Sequence, residues 1–465
     1  MHVYFIGIAG AGVSALASML VSQGHRVSGS DEGVYPPVST YLDRLGVRYA
    51  THFDAANVPA DVDVAVIGAS AKLGGADNPE LTELKRRGIA CWTFPEFLGE
   101  STKERENIVI AGSFGKSSLT ALIAHILRVA GRDPGYFIGA VPLDLATTGE
   151  WGSDPQMILE GDEYVISPED RRSKFVLYHP AHTLISSIVH DHFNMFPTME
   201  SYEAPFADLV ALTPAGGLLV CARQYEPIRR LTAGRNVVWY GLGAGEGYSA
   251  LDIEIGETTR FALASPNGAR VTLETQLLGL HNVENIVGAA ALLLSRGLVS
   301  SDDLVRAIPT FRGVARRLDK KTTTSRVPAY EGFGSSYEKA RSAIEAVQLH
   351  FPARPLVVVF EPHTFSWRNE AARDWYRTVF DGVARVLMLP PPTHGAGSHA
   401  QLSQGDIAAC VSAAGVEVAA VAGAEETLAA LERLAGDEVV LLLSSGPLDG
   451  LADSAPRLLD ATFGG

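Results

Sequence analysis

The sequence predicts an α/β protein made of three successive sections, and three observations carry that reading. Short apolar runs rich in Val, Ile and Leu alternate with stretches of helical periodicity, the pattern of parallel sheets with crossover helices. Glycine-rich junctions between a strand and a helix open the first two sections, around Gly10–Gly12 and Gly112–Gly115. The polar stretch "GESTKEREN" (99–107) lies between those sections and reads as a linker. A chain of 465 residues is also too long for one ordinary core.

In the first section Val3 to Ile6 reads as a buried strand. Val13 to Gln23 follows as a helix with Leu16, Met19 and Leu20 on one face, and Gly24 stops it. Arg26 to Ser28 is a second strand that leads to Asp31. Gly10-x-Gly12-x-x-Ala15 fits the dinucleotide fingerprint Gly-x-Gly-x-x-Gly/Ala, and Asp31 stands about twenty residues on, where an acid meets a ribose. This is either a nucleotide-diphosphate site at a helix N-terminus or a Rossmann turn that uses glycine only for packing. "DVAVIGASA" (63–71) and "ACWTFPEF" (90–97) supply further strands.

The second section begins with the strand-like Ile108, Val109 and Ile110, then Gly112 and Gly115-Lys116-Ser117. A Walker A loop needs a glycine where Ile110 stands. The segment is thus a shorter phosphate loop or only a tight turn. Leu119, Leu122, Ile123 and Ile126 make a helical stripe that Gly131 ends. In the first reading, first-turn N–H groups face a phosphate, Lys116 adds a point charge and Ser117 offers a hydroxyl to Mg²⁺. "MILEGDEY" (157–164) sets Glu160, Asp162 and Glu163 after an apolar run. "HTLISSIVHDHFNMF" (182–196) leads a β-run into His190-Asp191-His192. Carboxylates and imidazoles at neighbouring strand ends suit a metal–nucleotide complex; singly, such residues are ordinary solvated loops. The section continues through 279–297 to 311–319. The third section, from about 320, repeats the alternation, with strands in 355–362, 384–392, 416–423 and 438–446.

A formal net charge of −15 argues against a general nucleic-acid or anionic-membrane surface. Cys91, Cys221 and Cys410 lie far apart without metal spacing, as suits a reducing compartment. The start lacks the pattern of a signal peptide, and no apolar run approaches a membrane span, so a cytoplasmic protein is expected. The oligomeric state, monomer or homodimer, is left open.

Together these motifs resemble the Mur ligase family, the ATP-dependent amide-forming enzymes of peptidoglycan assembly and recycling. The family loop Gly-Thr-x-Gly-Lys-Thr-Thr is matched by Gly112-Ser113-Phe114-Gly115-Lys116-Ser117-Ser118. Its Glu-Ala-Asp-Glu segment is matched by Glu160-Gly161-Asp162-Glu163, and its Asp-His pair by Asp191-His192. His281-Asn282-Val283-Glu284-Asn285 matches its nucleotide segment, and Gly313-Val314-Ala315-Arg316-Arg317 its hinge. The resemblance spans essentially the whole chain and implies three domains. These are a Rossmann-like UDP-sugar domain (1–104), a central P-loop-type ATPase domain (105–318) and a Rossmann-like C-terminal domain that brings the amine (319–465).

It also implies ATP and Mg²⁺ and a set of roles. Gly112, Ser113, Gly115, Lys116, Ser117 and Ser118 would cradle phosphates; Ser117, Glu163 and His192 would bind metal. His281, Asn282 and Asn285 would serve the nucleoside side, and Arg316 and Arg317 the phosphates. Lys116, Glu163, His192 and Arg317 would be catalytic. Gly10, Gly12, Asp31 and His190 would face the UDP-sugar. The Rossmann section resembles the branch that accepts UDP-N-acetylmuramate. "GSDEGVYPPVSTYL" (29–42), "GYFIGAVP" (135–142) and "DRRSKFVLYHP" (170–180) resemble its recycling arm, whose amine is the tripeptide L-Ala-γ-D-Glu-meso-diaminopimelate. L-Alanine or another amine is the alternative; a nucleotide-binding regulatory homologue without turnover is a third.

Some positions depart from the family. Its carbamylated lysine has no counterpart at Phe206, as expected for the acceptor branch, and Val189 replaces an acid. The opening of the third section, usually Asp-Asp-Tyr/Phe-Ala/Gly-His-His-Pro, is Glu331-Gly332-Phe333-Gly334-Ser335-Ser336-Tyr337. This last change puts the amine substrate in question first and turnover second.

Overall fold

The computed structural model describes residues 1–34, 38–68, 78–167, 170–192, 195–392 and 400–464. Parts of three stretches singled out above, 35–37, 69–71 and 193–194, lie outside the described residues. Three sheets match the three α/β sections. The chain divides into two compact units: Met1–Ile253 with Phe261–Glu274 and Val283–Phe311, and Glu254–Arg260 with Thr275–Asn282 and Arg312–Gly465.

In the first unit a five-stranded parallel sheet runs Arg48–Ala50, Arg26–Ser30, His2–Ile6, Val64–Ile67, Ala90–Thr93. That is the Rossmann order, with the first strand at the centre and the chain turning both ways from it. The helix Ala11–Ser22 begins two residues before its expected start, because Gly10 already serves as N-cap. The stretch 90–97 is a strand only to Thr93. Thr93 forms a capping box with Glu96, and Pro95 sits in the first turn, so Phe94–Thr102 is a helix. The expected linker at 99–107 is correspondingly short: the helix fills its beginning, and the next strand starts at Glu106. Charge and polarity there mark an exposed helix end.

A ten-stranded sheet has Glu106–Ala111 near its middle, between His182–Ile185 and Gln156–Glu160, all parallel. Ile108, Val109 and Ile110 have no exposure, as strands covered on both faces require. The carboxyl ends of these three neighbours place 112–118, 160–163 and 186–192 at one edge.

The second unit holds a six-stranded sheet, ordered Arg317–Lys320, Ala329–Gly332, Val439–Leu443, Leu356–Phe360, Arg385–Met388, Glu417–Ala420. Only its first pair is antiparallel. Alternation sorts its residues between two cores. Leu356, Val358, Phe360, Leu441 and Leu443 pack with Ile344, Val347, Trp367 and Tyr376. Val357, Val359, Val440 and Leu442 pack with Leu431, Leu451 and Leu459 on the other face.

Candidate active site

The loop after Glu106–Ala111 is shaped by glycine and by serine. Gly112 has φ +142°, and a Cβ there would collide with Ser186 Oγ; Gly115 has φ +84°. A Cβ at Gly115 would stand 2.8 Å from Asn285 Oδ1, which places Asn285 directly over the loop. Ser187 holds the loop from the neighbouring strand end: its carbonyl accepts from Ser113 N at 3.0 Å and its hydroxyl from Phe114 N at 3.0 Å. Ser113 Oγ donates to Val189 O at 2.8 Å and accepts from Val189 N and Tyr202 OH, each at 2.8 Å. The amides of Ser113 and Phe114 are therefore engaged by protein, and Ser113 shapes the loop. The donors left for an anion are the first-turn N–H groups of the helix Lys116–Val129, whose Gly115 N-cap offers no side-chain bond. Ser118 is half-buried in that turn.

Lys116 Nζ donates to Gly112 O and to Glu163 Oε2, both at 2.7 Å. Burial pulls the ammonium down, but the charges of Glu163, Asp162 and Glu160 outweigh it and hold Lys116 above its ordinary value. Ser117 Oγ donates to Glu160 Oε1 at 2.7 Å, while Glu160 Oε2 accepts from Gly139 N at 2.7 Å. His192 Nε2 lies 3.2 Å from Glu163 Oε1. That carboxylate oxygen is buried and has ion-pair proximity only, with no hydrogen bond of sound geometry.

A buried carboxylate oxygen with coordination to spare fits a hard divalent cation such as Mg²⁺. Among the described residues no group of three or more His, Cys, Asp or Glu gathers as a metal site. Of the set proposed from sequence, Glu163 lies beside His192, whereas Ser117 bonds Glu160, which was not in that set. His190 Nε2 meets Phe196 O at 2.7 Å, and its ring lies 5.8 Å from that of Tyr202. Phe206 is fully buried against Phe175 and Tyr202, a core position with no room for a charged side chain.

At the first glycine junction, both oxygens of Asp31 are occupied by backbone: Ala9 N at 2.9 Å and Gly33 N at 3.1 Å. Gly12 is a packing glycine, since a Cβ there would come within 3.1 Å of Phe94 and 3.4 Å of Phe137. Gly10 differs. It is exposed, its φ is −61°, and a Cβ would meet only ordinary contacts. Its one evident structural use is as N-cap of the helix Ala11–Ser22.

His281, Asn282, Arg316 and Arg317 belong to the second unit. His281 is exposed, and Asn282 Nδ2 donates to Leu278 O at 2.9 Å. Buried His350 braces this segment, accepting from Gly279 N at 2.8 Å and meeting Gly256 O at 2.7 Å. Arg316 has φ +65° and caps a strand end, donating to Gly446 O at 2.7 Å and Ser444 O at 3.2 Å. Its Nε lies 3.2 Å from Glu331 Oε1, and its guanidinium sits over the Phe333 ring. Arg317 is exposed on its strand. Ser187, Tyr202, Tyr164 and Glu160 complete the site without having been assigned roles. Ser187 was signalled by the serine pair that ends the β-run before His190, and Glu160 by its place after the apolar run of 157–159.

A glycine loop with its lysine, two flanking acids and an imidazole, all at parallel-strand ends, defines an α/β enzyme that handles nucleotide phosphates. Comparison with known proteins gives the particular family. Residues 2–106 match the Mur ligase family catalytic domain, and 110–293 the Mur ligase middle domain. A UDP-N-acetylmuramate–L-alanine ligase of Roseiflexus sp. is 32% identical, over 82% of this chain and 83% of its own. The UDP-N-acetylmuramate–L-alanyl-γ-D-glutamyl-meso-2,6-diaminoheptandioate ligase of Haemophilus influenzae is 25% identical over 84% of this chain and 86% of its own. The crystal structure of a UDP-N-acetylmuramate-alanine ligase from Thermotoga maritima shares the fold, with TM-score 0.79, 20% identity and 99% of both chains covered. The chain belongs to the Mur ligase family and is an ATP-dependent ligase of three α/β domains. Among the described residues no helix is long and apolar enough to cross a membrane.

Proposed function

We propose that this ligase joins UDP-N-acetylmuramate to the tripeptide L-Ala-γ-D-Glu-meso-diaminopimelate, as a murein peptide ligase of cell-wall recycling in the cytoplasm, using ATP and Mg²⁺. The observation that carries the ligase chemistry is the Lys116–Glu163–His192 cluster on the glycine loop. Support for the tripeptide comes from the "RRSKF" segment, whose Lys174 Nζ lies 2.6 Å from Oδ2 of Asp162, the residue before Glu163. The domains are 1–104, 105–318 and 319–465, with strand Arg317–Lys320 straddling the last boundary.

A carboxylate is a poor acyl donor. In this reaction ATP phosphorylates the muramate carboxylate, and the amine displaces phosphate from the acyl phosphate through a tetrahedral intermediate. Lys116 and the helix N-terminus neutralise the transferring phosphoryl group, where most catalysis of this type arises. Ser117, Glu160 and Glu163 are the side chains that would hold Mg²⁺, which shields phosphate charge when bound, and His192 orients the acyl phosphate. Asn285 sits against the loop for the nucleotide; the family pattern gives His281 and Asn282 to the nucleoside and Arg316 and Arg317 to the phosphates. Gly10 and the Asp31-braced loop receive the UDP end, with His190 on the sugar side.

L-Alanine is the second reading, favoured by the L-alanine ligases among the relatives. The test is phosphate release from ATP with Mg²⁺ and UDP-N-acetylmuramate, comparing tripeptide, L-alanine and no amine. Release dependent on tripeptide supports the proposal. Release with L-alanine alone replaces it with the second reading, and no release with either amine refutes both.

A further inference from the structure

One aromatic side chain in the active site has no role in the chemistry just described. Tyr164 follows Glu163 directly, and its hydroxyl lies 2.9 Å from His192 Nδ1. The two rings meet edge to face, with centroids 4.5 Å apart and planes at 61°. Tyr164 is itself fixed from three sides. Its N–H donates to Asp162 Oδ1 at 3.2 Å, its carbonyl accepts from Lys174 N at 2.9 Å, and Lys174 Nζ stands 5.7 Å from its ring centroid. His192, by contrast, sits at φ +57°, where a non-glycine residue is strained and needs outside contacts to stay. Its Nε2 faces Glu163 Oε1 at 3.2 Å. Where the imidazole is neutral it carries one proton, and placing that proton on the nitrogen nearer the carboxylate leaves the other free to accept.

We propose that Tyr164 is a positioning residue for His192: its hydroxyl donates to Nδ1, which places the proton on Nε2 and aims that edge at Glu163 and the phosphate loop. The inference rests on the reading that His192 acts on the reacting phosphate. Tyr164 touches neither substrate nor metal in this scheme and acts only through the imidazole. The ring contact and the hydrogen bond together resist rotation of a side chain whose backbone is strained.

The first test needs no turnover. In protein labelled with ¹⁵N-histidine, His192 is assigned by the resonance lost in His192→Ala. The expected spectrum has the proton on Nε2 and a hydrogen-bonded, acceptor-type Nδ1. Tyr164→Phe should shift Nδ1 or yield mixed tautomers. A proton found on Nδ1 in the wild type, or an unchanged spectrum in Tyr164→Phe, overturns the proposal.

The second test is a double-mutant cycle in phosphate release with UDP-N-acetylmuramate and tripeptide or L-alanine. Tyr164→Phe should lower kcat about five- to tenfold, the worth of one hydrogen bond, leave the KM for ATP within about twofold, and cost nothing further once His192 is Ala. Additive losses, or an unchanged kcat beside an impaired His192→Ala, overturn it. Should His192→Ala itself leave kcat intact, the reading of His192 fails instead, a result separate from the tautomer seen in the spectrum.

Discussion

The phosphate loop at 112–118 and the opening of the third domain at 331–337 contrast in how they use their residues. At the loop every departure from the family pattern preserves the chemical group: Ser117 and Ser118 keep the hydroxyls of threonines. Lys116, Glu163 and His192 face one another within hydrogen-bond or ion-pair distance. At 331–337 the departures replace chemistry with structure. Glu331 pairs with Arg316 and, at 3.0 Å, with Lys321. Gly334 O accepts from Trp367 Nε1 at 2.8 Å, and Ser335 O from Thr364 Oγ1 at 3.1 Å. Ser336 caps the helix Tyr337–His350, and Tyr337, in the place of a proline, packs on Trp375. The lesson is that two motifs of one family can diverge under different constraints: phosphate needs fixed charge, whereas the third-domain segment has become a brace for 361–368.

Substitutions on the two sides should separate rate from stability. Trp367→Ala removes a fully buried side chain anchored on Gly334 and should cost about 3–5 kcal/mol of stability, read by denaturant unfolding. A loss under about 1 kcal/mol would break the brace reading. Lys116→Ala should instead lower phosphate release about 10²- to 10³-fold, measured well below the variant's own unfolding temperature because the change also strips buried Glu163 of its partner. A tenfold-or-smaller loss would put the chemistry elsewhere.

Asp319→Asn is an intermediate case. Burial pushes the Asp319 carboxyl up to about 6, with Glu331 adding to the shift and Lys321 opposing it. A folded pKa above the unfolded value means the native state binds the extra proton. This group's contribution is therefore most favourable below about pH 4, is lost between about 4 and 6, and is flat above. The Asn variant should match wild type near pH 4 and exceed it by about 2–3 kcal/mol at pH 7, read by unfolding at the two pH values. Equal stability at pH 7 would refute the shift. Smallest is Ser336→Ala, expected to cost about 1 kcal/mol for a lost cap and to leave kcat unchanged. A large fall in kcat would show that 331–337 still takes part in the chemistry.

The sequence by itself determined the fold and the place of the glycine loop between a buried strand and a helix. Strands buried on both faces read as unbroken Val/Ile/Leu runs, and glycine at a positive-φ turn before a helix leaves a local pattern. Lys116, Glu163 and His192 were legible because each ends a strand or begins a helix within a few residues of a recognisable signal. The helix at Phe94 was misread because its aromatic start suits a strand equally well, and only the Thr93–Glu96 box decides between them. Tertiary structure alone decided pairings between distant segments. It gave Ser117 to Glu160, committed the Ser113 and Phe114 amides to Ser187, and turned Gly12 into a packing residue. It also set Arg316 on the strand end at Ser444–Gly446 and placed Tyr164 against His192. Such contacts join residues 28 to 130 positions apart, and no local periodicity records which side chains two strands will bring together.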